Sequence, residues 1–248
     1  MPTLNTLPPE LRNEIYDLLL VREEPILIVS PRKNKKKRFW GKLKAQAQQR
    51  HTNFASLLRV GKQISREAKT VFYACNTFII GNGYFGSTIQ ANVRGFQKFI
   101  ARVPKDCLGL IRRVELDMLM LAPNDDFRWA RAIDCWFLKW KLDHLEEICD
   151  GLLKHFRGIK SVSVAVFPLY SHELRSRHKY VNDDLRGDFA ALSAPIQNLL
   201  ALPSLKQFHI KFESARNIRS LVEAVLEGKE EARDVVKMVK RDGSFVPF

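Results

Sequence analysis

The chain has 248 residues, of which 46% are hydrophobic and 27% charged, a composition that fits one large or two small globular domains and excludes bulk disorder. Its net charge of +14 is uneven, because residues 32–50 hold nine Lys/Arg and no acidic residue, whereas the first 24 residues are acidic. No apolar run approaches the roughly 20 residues that span a bilayer, and no secretory signal opens the chain, so we expect an intracellular protein, nuclear or cytoplasmic, without a membrane partner.

The first predicted element is a helix over residues 8–21. Pro8 and Pro9 suit a helix start, where a missing N–H group costs nothing, and Glu10 lies in the first turn, where the helix dipole favours an anion. A short strand is predicted next, over residues 25–30. The apolar residues of the helix recur at helical spacing and form one face: Leu11, Ile15, Leu18 and Leu19.

A basic insertion, residues 31–53, follows the strand. Lys/Arg clusters bind phosphate backbones with little sequence selectivity, and the neighbouring Phe39 and Trp40 would stack on bases. The same run fits a nuclear-import sequence, a solvated loop without a partner, or a contact with an anionic membrane surface, and the residues leave these alternatives open. The basic side chains are Arg32, Lys33, Lys35, Lys36, Lys37, Arg38, Lys42 and Lys44.

Helical patterns return after the insertion. Residues 54–75 predict two helices with a turn at Gly61, and residues 76–80 predict a strand that ends at Gly81. Residues 87–102 predict a further amphipathic helix.

The second half of the chain contains a weak repeat. Three segments share one alternating pattern, and they begin at Ile111, Ile159 and Leu205. Helical patterns lie between them at 129–156 and 186–201, so the order predicts parallel strands joined by crossovers. A helix over 216–227 and a charged tail over 228–248 complete the chain.

These elements predict an α/β fold, with α+β as a possible alternative. The repeat resembles an irregular leucine-rich-repeat-like stack, although its spacing exceeds the usual 20–29 residues, and a plain α/β sandwich accounts for it equally well. We divide the chain into a helical region at 1–80, a β/α region at 81–227 and the charged tail at 228–248.

No motif predicts an enzyme or a bound cofactor. Gly81, Gly83 and Gly86 match GxGxxG by letter, but bulky residues occupy the turn and no acidic residue follows at the required distance. His144 and His155 fall on one predicted helix, but their spacing lacks the i, i+4 relation of a metal site. We therefore interpret the chain as a binding protein.

The N-terminal pattern resembles the F-box. Residues 7–11 (LPPEL) and Ile15 match its first part, and residues 57–64 (LLRVGKQI) resemble its second part, with Gly61 where the family commonly has Cys. The order LPPELRNEIYDLLL, LLRVGKQISREAKTVFY and NTF is similar to a group of F-box-like fungal proteins of poorly defined function. This resemblance covers about residues 7–120.

The resemblance implies a helical module that docks on the Skp-type adaptor of cullin–RING ubiquitin ligases, while the β/α region holds a protein substrate that the sequence does not identify. The first helix either presents its apolar face to that partner or buries it in the protein's own core. A nuclear nucleic-acid-associated protein that uses residues 32–50 is an alternative, and a structural or interaction protein with no ligase link is another. The implied docking residues are Leu7, Pro8, Leu11, Ile15, Leu18 and Leu19.

Overall fold

A computed structural model of the chain describes residues 4–28, 54–81, 93–121, 144–169, 193–212, 215–240 and 245–246. Its helices are α1 Pro9–Leu20, α2 at 54–60, α3 Lys62–Cys75, α4 Val93–Arg102, α5 Lys105–Leu108, α6 at 144–155, α7 at 193–198 and α8 Ala215–Leu226. Its strands are β1 Ile26–Ile28, β2 Thr77–Gly81, β3 Arg113–Leu121, β4 Ser161–Leu169, β5 Gln207–Phe212, β6 Val236–Lys240 and β7 Phe245–Val246.

All seven strands form one sheet in the order of the sequence. The first six are parallel to one another, and β7 pairs antiparallel with β6 at one edge. Helices lie between successive parallel strands along the chain, so the α/β prediction is confirmed and the α+β alternative is not. No helix of the described part of the chain is long and apolar enough to cross a bilayer.

The helices pack on one face of this sheet. Right-handed crossovers between strands in consecutive order place the described connecting helices on the same side. Side chains of α3, α4, α6, α7 and α8 join the strands in one buried cluster. Each of the six parallel strands contributes one residue to a buried row across the sheet, which is Ile26, Phe78, Val114, Val162, Phe208 and Val236.

The predicted repeat begins each strand with the same local structure. The carbonyl oxygen of Arg112 accepts hydrogen bonds from the N–H groups of Lys160 and Ser161, at 2.8 and 3.0 Å. One strand further, the carbonyl of Lys160 accepts from Lys206 and Gln207 at the same two distances, 2.8 and 3.0 Å. The three predicted parallel strands are therefore confirmed.

Other predicted elements are found within the described residues. The first helix is α1, the strands at 25–30 and 76–80 are β1 and β2, and the turn at Gly61 separates α2 from α3. The predicted helix at 216–227 is α8. Parts of three predicted helices, 87–92, 129–143 and 186–192, lie outside the described residues.

The last part of the chain contains two strands that the sequence analysis did not predict. β6 alternates buried Val236 and Met238 with exposed Lys237, and it continues the sheet beyond β5. Its five residues carry two lysines in a charged context, which conceals the alternation. At the other end, β1 and β2 belong to the same sheet, so residues 1–80 contribute strands as well as helices.

Candidate partner-docking helix

One face of α1 is buried against α3. Its buried side chains are Arg12, Tyr16 and Leu20, which recur every four residues and therefore share a face. The Arg12 guanidinium donates two hydrogen bonds to the carboxylate of Glu67 on α3, from Nε at 2.9 Å and Nη2 at 3.0 Å. The Tyr16 hydroxyl donates to the same carboxylate at 2.9 Å, so one acidic group joins the two helices.

This carboxylate is held in its charged form. The hydrogen bond from Arg12 is the largest cause that lowers the pKa of Glu67 to about 2, and hydrogen bonds from Gln63 and Tyr16 act in the same direction. Burial, followed by the hydrogen bond to Glu67, raises the pKa of Tyr16 to about 12. The remaining Arg12 nitrogen, Nη1, donates to the carbonyl of Leu7 at 2.6 Å, which fixes the entry of the chain into α1.

Asn76 fixes the other end of α1. Its side chain is buried, and its Nδ2 donates to the carbonyls of Leu20 and Phe72 at 3.0 and 2.8 Å. Its Oδ1 accepts the N–H of Arg22 at 2.8 Å. Both ends and the inner face of α1 are therefore held by polar contacts in which the side chains of Leu11, Leu18 and Leu19 take no part.

The apolar face predicted for docking points away from these contacts. The exposed fractions are 46% for Leu11, 85% for Leu18 and 39% for Leu19, and Ile15 is half-buried. Spacings of three, four, seven and eight residues place the four side chains on one side of the helix. The leucine face of α1 was expected to be either exposed or buried in the protein's own core, and in the structure it is exposed.

The other predicted docking residues flank this face. Pro8 is exposed immediately before α1, and Leu7 is half-buried one residue earlier. After the turn, Ile64 of α3 is fully buried in the core, whereas Val60 at the end of α2 is itself exposed. Sequence periodicity found the apolar face but missed the neighbouring stripe of Arg12, Tyr16 and Leu20, whose only signal was its own four-residue spacing.

No family model, curated protein or solved structure matches this chain.

The other predicted sites lie mostly outside the described residues. The basic side chains between Arg32 and Lys44 lie outside the described residues, as do Gly83 and Gly86. Within the described ranges, no group of three or more His, Cys, Asp or Glu is arranged to hold a metal ion.

A cleft of about 610 Å³ lies beside the end of α8, lined by residues including Val222, Leu226 and Glu227. At its rim, Glu230 pairs with Arg233 at 3.5 Å, and both side chains are largely exposed. This arrangement holds no buried acid or base.

Proposed function

We propose that the protein is an F-box-like adaptor in which α1 docks on the Skp-type adaptor of a cullin–RING ubiquitin ligase. The observation that carries the proposal is the joint exposure of Leu11, Leu18 and Leu19 on a helix that is anchored by an adjacent stripe of side chains. Large apolar side chains grouped on a protein surface mark interaction sites. An amphipathic helix of this kind binds by laying its apolar face in a groove of the partner.

The anchoring of α1 favours docking. The Glu67 carboxylate and the Asn76 amide hold the helix in place through hydrogen bonds at its middle and end. A preorganised helix loses less conformational entropy when it binds, and the leucine side chains then contribute apolar burial of about 1.5–3 kcal/mol each. The leucines are therefore available to a partner without any change in the protein's own core.

The two halves of the F-box-like pattern are adjacent in space although they are far apart in sequence. Arg12 and Glu67 belong to different halves and are joined by the two hydrogen bonds described above. Phe54, just before the second half on α2, stacks its ring on Phe72 of α3, with centroids 4.1 Å apart. The insertion between the halves is thus compatible with one compact helical module.

In this proposal the β/α region is the recognition surface for a protein substrate. Six parallel strands in consecutive order, with helices on one face, are compatible with an irregular leucine-rich-repeat-like stack. The other face carries polar side chains at its centre, where Lys211 on β5 pairs with Glu115 on β3 at 2.6 Å. Polar groups of this kind give a binding surface its specificity.

The test measures binding of purified Skp-type adaptor to the full-length protein by titration calorimetry. Leu18→Asp should weaken binding by at least about tenfold, because a charge then enters an apolar groove. Asn13→Asp is the matched control, since Asn13 is exposed on the same helix but outside the leucine face, and it should leave the affinity within about threefold.

Circular dichroism and the thermal midpoint confirm that both variants are folded. If the folded wild-type protein fails to bind the adaptor, or if Leu18→Asp and Asn13→Asp bind equally well, the adaptor proposal is wrong.

A further inference from the structure

The positive charge of the described residues is concentrated on one group of helices. From 54 to 81 and from 93 to 108 the sequence holds eight Lys/Arg and two acidic residues, a net charge of +6. Without residues 32–50, which carry +9, the whole chain has a net charge of only +5. Helices α2 to α5 therefore account for all of the charge excess outside the basic insertion.

These charges form stripes on the outer sides of α3 and α4. Lys62, Arg66 and Lys69 follow one another at spacings of four and three residues on α3. All three charged residues of α4 are basic, Arg94, Lys98 and Arg102, and they follow at spacings of four. At a rise of 1.5 Å per residue, each stripe is about 10–12 Å long.

The two stripes belong to neighbouring helices. Phe72 of α3 and Phe99 of α4 both pack against Phe78 of β2, with ring centroids 6.1 and 5.8 Å away. These aromatic contacts place both helices on the same face of the sheet. Their solvent sides thus point away from the sheet together, and α5 adds Lys105 beside them.

The cations of this surface are not neutralised by the described part of the protein. Glu67 is the acidic residue of α3, and it is engaged by Arg12 from α1. The second acidic residue of the region, Asp106, is exposed beside Lys105. Among the described residues, none of the eight Lys/Arg side chains takes part in an ion pair.

We propose that the outer surface of α3, α4 and α5 binds the phosphate backbone of a nucleic acid without reading its base sequence. Fixed cations that neutralise phosphates release condensed counterions, which drives binding with little dependence on sequence. This surface is separate from the leucine face of α1, so the proposal does not depend on the adaptor function.

The composition of the surface distinguishes a nucleic acid from other anionic partners. Protein interfaces depend on a desolvated centre of large apolar or aromatic side chains. Among the described residues of α3, α4 and α5, no large apolar side chain is exposed. An anionic membrane surface also favours helices with free apolar faces, whereas the apolar faces of these helices are buried against the sheet.

The experiment uses the full chain with the eight basic side chains between Arg32 and Lys44 replaced by Gln, which removes the contribution of the basic insertion to duplex binding. The probe is a fluorescein-labelled DNA duplex of about 20 base pairs, long enough to cover both stripes. Fluorescence anisotropy is recorded over a salt series. In that background, one variant carries Lys62→Gln, Arg66→Gln, Arg102→Gln and Lys105→Gln.

The matched control removes four exposed charges from another part of the molecule, with Arg157→Gln, Lys160→Gln, Lys206→Gln and Lys240→Gln. The helix variant should bind at least about tenfold more weakly at low salt and lose about three to four from the slope of log affinity against log salt. The affinity of the control variant for the duplex should fall by less than about threefold. Urea unfolding shows whether both variants are folded. If the four-residue variant is not folded, the double variant Arg66→Glu with Arg102→Glu replaces it.

Three results would overturn the proposal. One is the absence of salt-dependent duplex binding, and another is an equal loss in both variants, which would reflect net charge alone. The third is tighter binding to phosphatidylserine vesicles than to the duplex, lost in the helix variant, which would assign the surface to a membrane. Binding of the Skp-type adaptor should be unchanged in the helix variant, so failure here is distinguishable from failure of the adaptor proposal.

Discussion

At the scale of single residues, the N-terminal module is organised around the carboxylate of Glu67. It accepts hydrogen bonds from Arg12 and Tyr16 on α1 and from Gln63 on its own helix, the last at 3.0 Å. An ionised carboxylate accepts several hydrogen bonds at once, so a single group satisfies donors from three side chains at the helix interface. The charged form is essential, because a neutral group would bind the guanidinium less strongly.

Replacing Glu67 by Gln should destabilise the protein in a pH-dependent way. The folded-state pKa of Glu67 is about 2, below its ordinary value of 4.5, so its stabilisation is fully present above about pH 4.5 and is lost as the pH falls through 2. Glu67→Gln should therefore lower the urea midpoint at pH 7, and the difference from wild type should shrink between pH 4.5 and 2.

The control for this change is Glu14→Gln, which removes an exposed carboxylate from α1. Glu14→Gln should leave the urea midpoint nearly unchanged both at pH 7 and at the acidic end of the series. A difference between Glu67→Gln and wild type that stays constant as the pH falls would contradict the role of the charged carboxylate.

At the scale of elements, the sequence predicted those whose pattern follows from burial on one side. The strands that begin near Ile111, Ile159 and Leu205 alternate because helices cover a single face of the sheet. The orientation of α1 was not predictable, because its leucine stripe and the adjacent stripe of Arg12 and Tyr16 are both compatible with packing. Only the position of Glu67, more than fifty residues away in sequence, selects the second stripe.

Close contact between successive repeats should make Gly158 sensitive to substitution. A Cβ atom at Gly158 would lie 2.1 Å from the carbonyl oxygen of Gly109 and 2.2 Å from the Arg112 guanidinium. The side chain of Arg112 can move, but the backbone of Gly109 is held at the end of α5, where its N–H donates to the carbonyl of Lys105 at 3.2 Å. Gly158→Ala should therefore cost about 1–3 kcal/mol of unfolding free energy, measured by urea denaturation.

Gly61→Ala provides the comparison, since nothing lies within 4 Å of a Cβ atom at that turn. Its extended backbone accepts any residue, and because Gly61 is the N-cap of α3 the substitution should cost less than about 1 kcal/mol of unfolding free energy. If Gly158→Ala and Gly61→Ala lost the same unfolding free energy, close packing at the junction between repeats would not be the cause of the loss in Gly158→Ala.

At the scale of the whole molecule, one sheet joins all three regions into which the sequence was divided. β1 and β2 come from the first region, β3 to β5 from the second and β6 from the third. The third region was separated from the others because its charged context conceals β6, whereas pairing to the edge of β5 stabilises even five residues as a strand. The last part of the chain thus adds a further strand beside β5.

Met238 tests whether β6 contributes to the stability of the whole protein. Its side chain is almost fully buried and belongs to the same cluster as Ile210 of β5, its register partner. Met238→Asp would place an unpaired carboxylate in that cluster, and we expect a loss of at least about 3 kcal/mol of unfolding free energy.

Lys240→Asp changes an exposed residue of the same strand, and it should alter stability by about 0.5 kcal/mol at most. Urea unfolding followed by far-ultraviolet circular dichroism measures both. A single transition shifted by Met238→Asp means that β6 unfolds together with the sheet, whereas equal midpoints for the two variants would show that the sheet is stable without it.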